Sequence, residues 1–304
     1  KPGYEVGLTG LALWALVEGG IEPDQERHGE AVRKARVFLL DAQDGETGQF
    51  GTRQSHTFLY DHALATLALA RLVPLVEGDA ETETLATLQK AVYFLARAKN
   101  PYSAWGYSEP PNGTNNLSLT VWCLEAGHAA RDAGVDVPTS LVESPLGYLD
   151  ELLDRETGRI GYNQTGSRSS RITGQNDHFD PSLGEAMTAA GLWQVLRAPE
   201  GEERLEELEP SVELLLQCLP VWDEEHALAV DPYYWHLGTR AMVLAGKKPR
   251  KAWTKAMTEV LLEHQVDEDC ATGSWSPDGP WGAFGGRVYS TSLMAMSLAV
   301  LMTD

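Results

Sequence analysis

The chain has 304 residues, 43% of them hydrophobic, which is enough to bury a core in one large domain or two small ones. Its net charge of −20 argues against a nucleic-acid backbone or an anionic membrane surface as the main partner. The three cysteines are far apart and form no Cys-x-x-Cys pair, so neither a disulfide framework nor a zinc ribbon is expected.

The first residues, Lys1-Pro2-Gly3, include neither an initiator methionine nor an apolar leader. We therefore expect a fragment of a larger protein, whose compartment these residues do not reveal. No apolar run approaches the roughly 20 residues of a membrane-spanning helix, so no membrane span is predicted.

Helical runs of two kinds alternate along the chain. Run 4–18 is apolar over most of its circumference, as in an enclosed inner helix, whereas run 30–42 mixes charged and apolar residues, as in an outer helix with one wet face. Further enclosed runs follow at 57–76, 117–130, 181–196, 235–244 and 290–301, and further half-polar runs at 85–98, 146–153, 205–218 and 253–264. Strand signals are weak, so the pattern predicts an all-α fold of six inner and five outer helices.

An aromatic residue recurs in the turns between outer and inner helices. The predicted positions are Phe50, Trp105, Tyr162, Trp222 and Trp275, which are 55, 57, 60 and 53 residues apart. Such a period is typical of stacked copies of one helix pair. We expect residues 1–304 to form one α/α toroid, a double ring of six inner and five to six outer helices. An open solenoid is the rival fold, but six pairs suit closure and both chain ends are inner helices.

One turn carries a resemblance to a known family. A helix ending at Gln265 and followed by Gly273-Ser274-Trp275 resembles the repeat of squalene and hopene cyclases and of protein prenyltransferase β subunits, and Gln43 with Gly48-Gln49-Phe50 is a weaker copy. Segments 56–63, 231–235 and 285–291 are similar to a bacterial group labelled as prenyltransferase/squalene-oxidase-repeat proteins. This resemblance covers nearly the whole chain and implies the toroid fold, but it implies no defined activity.

The catalytic motifs of these families are incomplete in this chain. The cyclase acid Asp-x-Asp-Asp has its nearest match at Asp267-Glu268-Asp269-Cys270, where cysteine replaces the last aspartate. The prenyltransferase zinc set would need an aspartate at Leu216, before Cys218, and a histidine at Ser290. We therefore predict no metal and no cofactor.

Polar residues cluster at the predicted N-terminal ends of the inner helices. These ends should converge at one mouth of the ring, where the positive ends of the helix dipoles favour polar or anionic ligands. The predicted ligand-binding residues are His56, Tyr60, Asn116, Asp180, Tyr233, Tyr234, His236, Arg287 and Tyr289. Arg287 suits a carboxylate or phosphate ligand, and a salt bridge to Asp180 or Asp231 is the alternative.

Two functions remain open. The first is a domain that binds a small molecule or peptide in its central cavity, or a protein partner at its rim, without catalysis. The second is an enzyme that acts on an isoprenoid or a carbohydrate, in which Asp180 or Glu185 pairs with Asp61 or His178 for acid–base chemistry. The first is preferred because a fold alone does not define an activity, and the family's catalytic motifs are missing.

Overall fold

The computed structural model describes residues 3–52, 58–222 and 227–303 and contains no β-strand within these ranges. Eleven α-helices are described: α1 (Glu5–Glu18), α2 (Gly29–Asp41), α3 (Phe58–Leu72), α4 (Asp79–Ala98), α5 (Leu117–Asp132), α6 (Thr139–Leu152), α7 (Ala186–Arg197), α8 (Glu209–Gln217), α9 (Pro232–Leu244), α10 (Lys247–Glu263) and α11 (Gly282–Met302). The predicted all-α class is confirmed.

The boundaries of the helices differ from the predicted runs. Helix α4 begins at Asp79, six residues before the predicted run, because acidic residues stabilise the first turn of a helix. The run predicted at 181–196 becomes helical only at Ala186, since Pro181–Leu183 form a separate 3₁₀ turn that is followed by extended backbone at Gly184.

The chain divides into two compact units, Lys1–Tyr148 and Leu149–Asp304. In the first unit α3 packs between α1 and α5, and α2 and α4 pack on the outside of α1 and α3. In the second unit α9 packs between α7 and α11, while α8 and α10 cover α7 and α9. Each unit therefore has the predicted alternation of inner and outer helices. The closed ring stays a prediction.

Helix α3 and the turn after it are the most apolar part of the chain. Phe58–Leu75 is long and apolar enough to cross a membrane, and 72% of this window is buried inside the structure. The core helix of a compact unit has the same length and composition. The absence of a membrane span stays a prediction.

Four turns between an outer and an inner helix share one hydrogen bond. In each, a buried residue donates its backbone N–H to a side chain of the inner helix that follows. The pairs are Phe50 with His62 Nδ1 (3.1 Å), Trp105 with Thr120 Oγ1 (3.3 Å), Ile160 with Thr188 Oγ1 (3.3 Å) and Trp275 with Thr291 Oγ1 (3.2 Å). A buried N–H needs an acceptor, so this contact fixes where each inner helix begins relative to the turn.

Tyr162 does not occupy the place that the repeat predicts for it. The antiparallel bridge that pairs Gln43 with Phe50 has its counterpart between Leu153 and Ile160. Ile160 is 1% exposed, whereas Tyr162 is half-buried. The turn hydrogen bond uses the backbone, so the position requires a buried side chain but not an aromatic ring.

His62 joins three segments of the first unit. Its Nδ1 accepts the Phe50 N–H, and its Nε2 lies 3.1 Å from the carbonyl oxygen of Ala91 in the outer helix α4. The ring is fully buried, and this burial lowers the pKa of His62 to about 3. The side chain is therefore neutral and donates from Nε2.

Replacing His62 with alanine should remove both hydrogen bonds and the ring's packing against Phe94. We expect His62→Ala to lower the free energy of unfolding by about 3 kcal/mol. Urea unfolding followed by circular dichroism measures this loss. His178→Ala is the control, because His178 is exposed and its removal should cost less than about 0.5 kcal/mol. Equal losses in the two variants would contradict the role assigned to His62.

Candidate functional site

Helix α3 is enclosed except along one narrow line. Tyr60, Leu64 and Arg71 are half-buried, and every other residue of the helix is buried. The three are spaced by four and seven residues, so they lie above one another on the same face. His62, two residues from Tyr60, is on the opposite face and contacts the outer helix α4. The exposed line of α3 therefore points away from the outer helices.

Hydroxyl groups meet at the N-terminal end of this line. The Tyr60 and Ser118 hydroxyl oxygens are 2.7 Å apart, and the Tyr107 hydroxyl is 3.5 Å from that of Tyr60. Asn116 accepts hydrogen bonds from the Leu119 N–H and from Ser118, so it also caps α5. The structure thus brings the predicted residues Tyr60 and Asn116 together through Ser118. Sequence reasoning missed Ser118 and Tyr107.

An ion pair lies at the other end of the line. Arg71 donates from Nη2 to the Glu125 carboxylate of α5 at 2.7 Å, and the Glu125 side chain is 1% exposed. A buried carboxylate requires a partner of opposite charge, so the pair ties α3 to α5. Neither residue was predicted. The signal available in the sequence was Arg71 within the predicted enclosed run 57–76 and Glu125 within the enclosed run 117–130.

Helix α9 has a similar line in the second unit. Tyr233, Arg240 and Leu244 lie on one face and are half-buried or exposed. The Arg240 guanidinium lies 5.8 Å from the centre of the Trp193 ring on α7, within the range of a cation–π contact. On another face of α9, Gly238 lies so close to Trp253 of α10 that a Cβ atom would be 2.3 Å from the ring. The line of α9 thus also points away from the outer helix.

The long connection 153–185 reaches the N-terminal end of α9. It is longer than roughly 15 residues, a length that irregular connections seldom exceed. Arg171 in this connection lies 3.9 Å from Asp231, whose carboxylate accepts the N–H groups of Tyr233 and Tyr234 and caps α9. Burial raises the pKa of Asp231, and the charge of Arg171 opposes this shift. Burial and the charge of Asp231 also raise the pKa of the predicted residue Tyr289.

Two arginines of the same connection hold Glu185. Its carboxylate accepts from Arg159 at 2.9 Å, from Arg168 at 3.2 Å and from the Thr188 hydroxyl at 2.9 Å, and the residue is 5% exposed. Glu185 was a candidate catalytic acid. Its contacts anchor the start of α7 to the connection.

The other predicted residues of the second unit separate into exposed and core positions. Asp180 and His178 are exposed, and Asp180 caps the 3₁₀ turn through the Ser182 N–H, which lowers its pKa. Tyr234 and His236 are buried, Tyr234 donating to the Cys218 carbonyl and His236 lying 3.4 Å from Ser297.

Arg287 is exposed, and its guanidinium donates to Ser274 at 3.1 Å. Within the described residues it forms no ion pair, and Arg171 takes the place beside Asp231 that the sequence offered to Arg287. His56 lies outside the described residues, so its part in a ligand site stays a prediction. No cluster of three metal-binding side chains occurs in the part of the chain that the structure describes.

Asp61 is buried between α1 and α3. It is 9% exposed and accepts the Gly7 N–H at 2.9 Å, and Gly7 has no room for a side chain because a Cβ would lie 2.4 Å from the carboxylate. Burial raises the pKa of Asp61 to about 6, against the hydrogen bond from Gly7. The carboxylate faces α1 and is not on the exposed line of α3.

Neither a protein-family model nor a curated protein matches this chain. The resemblance to the cyclase and prenyltransferase repeats therefore stays a prediction from the sequence motifs. Both motifs have the same local contact: Gln43 Nε2 donates to the Gly48 carbonyl at 3.1 Å, and Gln265 Nε2 donates to the Gly273 carbonyl at 3.0 Å.

Asp61→Asn should stabilise the protein near neutral pH. A carboxyl group whose pKa is raised on folding supports the fold below its unfolded pKa, and this contribution is lost as the pH rises through about 6. Asparagine keeps an oxygen for Gly7 without a charge, so we expect a gain of about 2 to 3 kcal/mol at about pH 7.5 and no gain at about pH 4. Thermal unfolding across this pH range measures the difference.

Asp44→Asn is the control, and its effect on stability near neutral pH should have the opposite sign. Hydrogen bonds from Thr47 lower the pKa of the exposed Asp44, so the charged form of this side chain supports the fold. His62, whose pKa is lowered to about 3, stabilises the fold above its unfolded pKa and loses this effect as the pH falls. The Asp61→Asn protein should therefore lose stability more steeply than the wild type between about pH 6 and 4. If the wild type and the Asp61→Asn protein were equally stable at about pH 7.5, this would contradict the burial of an ionised Asp61.

Glu185→Gln should loosen the connection 153–185, because it removes the negative charge between Arg159 and Arg168. We expect a loss of about 2 to 4 kcal/mol of unfolding free energy and faster cleavage of the connection in limited proteolysis. Glu200→Gln, at an exposed position, is the matched control. A Glu185→Gln protein as stable and as resistant as this control would mean that the ion pairs do not anchor the connection.

Proposed function

We propose that this chain is an α/α-toroid domain of the squalene-cyclase and prenyltransferase repeat type, and that it binds an elongated amphipathic small molecule without transforming it. Three features support the toroid: inner and outer helices alternate, the turns share one hydrogen bond, and both Gln-to-Gly contacts of the repeat are formed. The ligand would lie against the inner helices, on the side away from the outer ones.

The exposed line of α3 is the observation that carries the binding proposal. Hydroxyl groups of Tyr60 and Ser118 lie at one end, the apolar side chain of Leu64 follows, and the Arg71–Glu125 pair lies at the other end. Tyr60 and Arg71 are eleven residues apart, which is about 16 Å along a helix. Apolar surface between a few polar groups is typical of a ligand site, and Leu64 supplies the apolar part here.

The contacts of the acidic residues favour binding over catalysis. Asp61 accepts from Gly7, Asp180 caps a turn, and Glu185 is held by two arginines. A general acid or base must reach the substrate and exchange a proton with it. These three carboxylates already serve the fold, and Asp61, whose pKa is raised, is off the exposed line. The enzyme hypothesis is therefore the second choice.

Titration of the protein with farnesol, followed by tryptophan fluorescence, tests the binding site. We expect saturable binding that Leu64→Arg weakens at least about tenfold, because the variant places a charge in the apolar centre of the line. Tyr60→Phe, a milder change, should weaken binding about two- to fivefold by removing one hydroxyl. Val37→Arg on the outer helix α2 is the matched control and should bind like the wild type.

Farnesyl diphosphate tests the absence of catalysis. Incubated with the protein, it should be recovered unchanged, with no release of diphosphate above the buffer rate. Release that depends on the protein would overturn the non-catalytic part of the proposal. Farnesol binding that is absent, or unaffected by Leu64→Arg, would overturn the site.

A further inference from the structure

The outer helix α10 carries a concentration of lysine that contrasts with the rest of this acidic chain. Lys247, Lys248, Lys251 and Lys255, hereafter the lysine stripe, are half of the eight lysines in the sequence. All four are exposed, and at helical spacing they share the face opposite the buried Trp253 and Met257. The stripe covers about two and a half turns of the outer surface of the second unit.

The lysine stripe does not stabilise its own helix. Positive charges in the first turns oppose the helix dipole, and Lys247, Lys251 and Lys255 are like charges four residues apart. The first turn of α10 has no acidic residue, and its N-cap has no side-chain hydrogen bond. Within the described residues Lys255 has an ion pair, with Glu259 at 3.8 Å, and the other three lysines have none. A stripe that costs helix stability suggests a partner outside the chain.

An acidic segment leads into the neighbouring outer helix α8. Six exposed glutamates precede or begin α8, here called the glutamate segment: Glu200, Glu202, Glu203, Glu206, Glu207 and Glu209. Glu207 is paired with Arg155 and Arg204, and the other five have no ion pair within the described residues. Helices α8 and α10 pack against each other as outer helices of this unit, so the stripe lies on the neighbour of the helix into which the segment leads.

This arrangement argues against a long polyanion. A long nucleic acid or an anionic membrane at the lysine stripe would also approach the glutamates that lead into the neighbouring helix and would be repelled by them. The solvent face of α10 continues from the stripe to Leu262, which is 62% exposed, and an apolar side chain suits a protein partner. A protein with both an acidic and a basic patch therefore fits this unit best.

We propose that a second copy of this chain is that partner. If a two-fold axis relates the two copies, the lysine stripe of each copy faces the glutamate segment of the other. The result is one self-complementary interface that contains two equal contacts. Opposite charges then meet in both contacts, which sets the orientation of the pair. The surface lies on the outer helices and uses none of the residues of the proposed ligand site.

Sedimentation velocity between about 1 and 100 µM protein tests this dimer, first at low ionic strength and then in about 0.5 M NaCl. We expect dimers that salt weakens, because the contacts are between exposed charges. Lys251→Glu with Lys255→Glu should raise the dimer dissociation constant at least about tenfold. Both positions are exposed, so the variant should fold, and circular dichroism checks that it does. Lys34→Glu with Lys90→Glu, in the other unit, makes the same change in charge and should leave the dimer intact.

A charge swap completes the test. Glu202→Lys with Glu206→Lys should also give monomers, and mixing this variant with the Lys251→Glu, Lys255→Glu variant should restore a one-to-one dimer. The proposal would be overturned if the wild type stayed monomeric at every concentration. It would also be overturned if the Lys251→Glu, Lys255→Glu variant and the Lys34→Glu, Lys90→Glu variant weakened the dimer equally. Binding of a single-stranded 20-mer DNA through the stripe, without self-association, would overturn it in favour of a nucleic-acid partner.

Discussion

The hydrogen bond from a turn N–H to the next inner helix is the contact on which the rest of each unit depends. Among the described residues it occurs in four turns, and its acceptor is a threonine hydroxyl in three of them and the His62 ring in the first. Because a buried N–H without an acceptor is costly, the contact holds the end of each outer helix against the start of the following inner helix. The indole N–H groups of Trp105 and Trp275 bond in turn to carbonyl groups of the outer helices, which closes the corner.

This repeated corner also orients the inner helices. With His62 held towards α4, Tyr60 and Arg71 must lie on the opposite face of α3. In α9, Gly238 leaves room for Trp253 of the outer helix α10. Tyr233 and Arg240 therefore lie on the side of α9 that faces away from α10. A structural requirement at the outer helices thus produces a line of tyrosine and arginine at the inner ones, where a ligand could bind.

Charge is distributed in two different ways in this protein. Inside the units Glu125 is paired with Arg71 and Glu185 with Arg159, whereas the buried Asp61 has a backbone N–H and no ion pair within the described residues. In the second unit the lysine stripe and the glutamate segment are instead exposed and, within the described residues, largely without ion pairs. The proposed ligand site and the proposed dimer interface use separate residues, so the two proposals can be tested and can fail independently.

The sequence by itself determined the all-helical class and the alternation of enclosed and half-polar helices, because hydrophobic periodicity is a local property of each run. It also located the Gln-to-Gly corners and the polar residues Tyr60 and Asn116. Only the tertiary structure decided that Ile160, not Tyr162, fills the third corner, since a backbone contact selects that position. It alone paired Arg71 with Glu125 and held Glu185 between two arginines. These partners are remote in sequence, and no local pattern encodes which distant charge a buried carboxylate will meet.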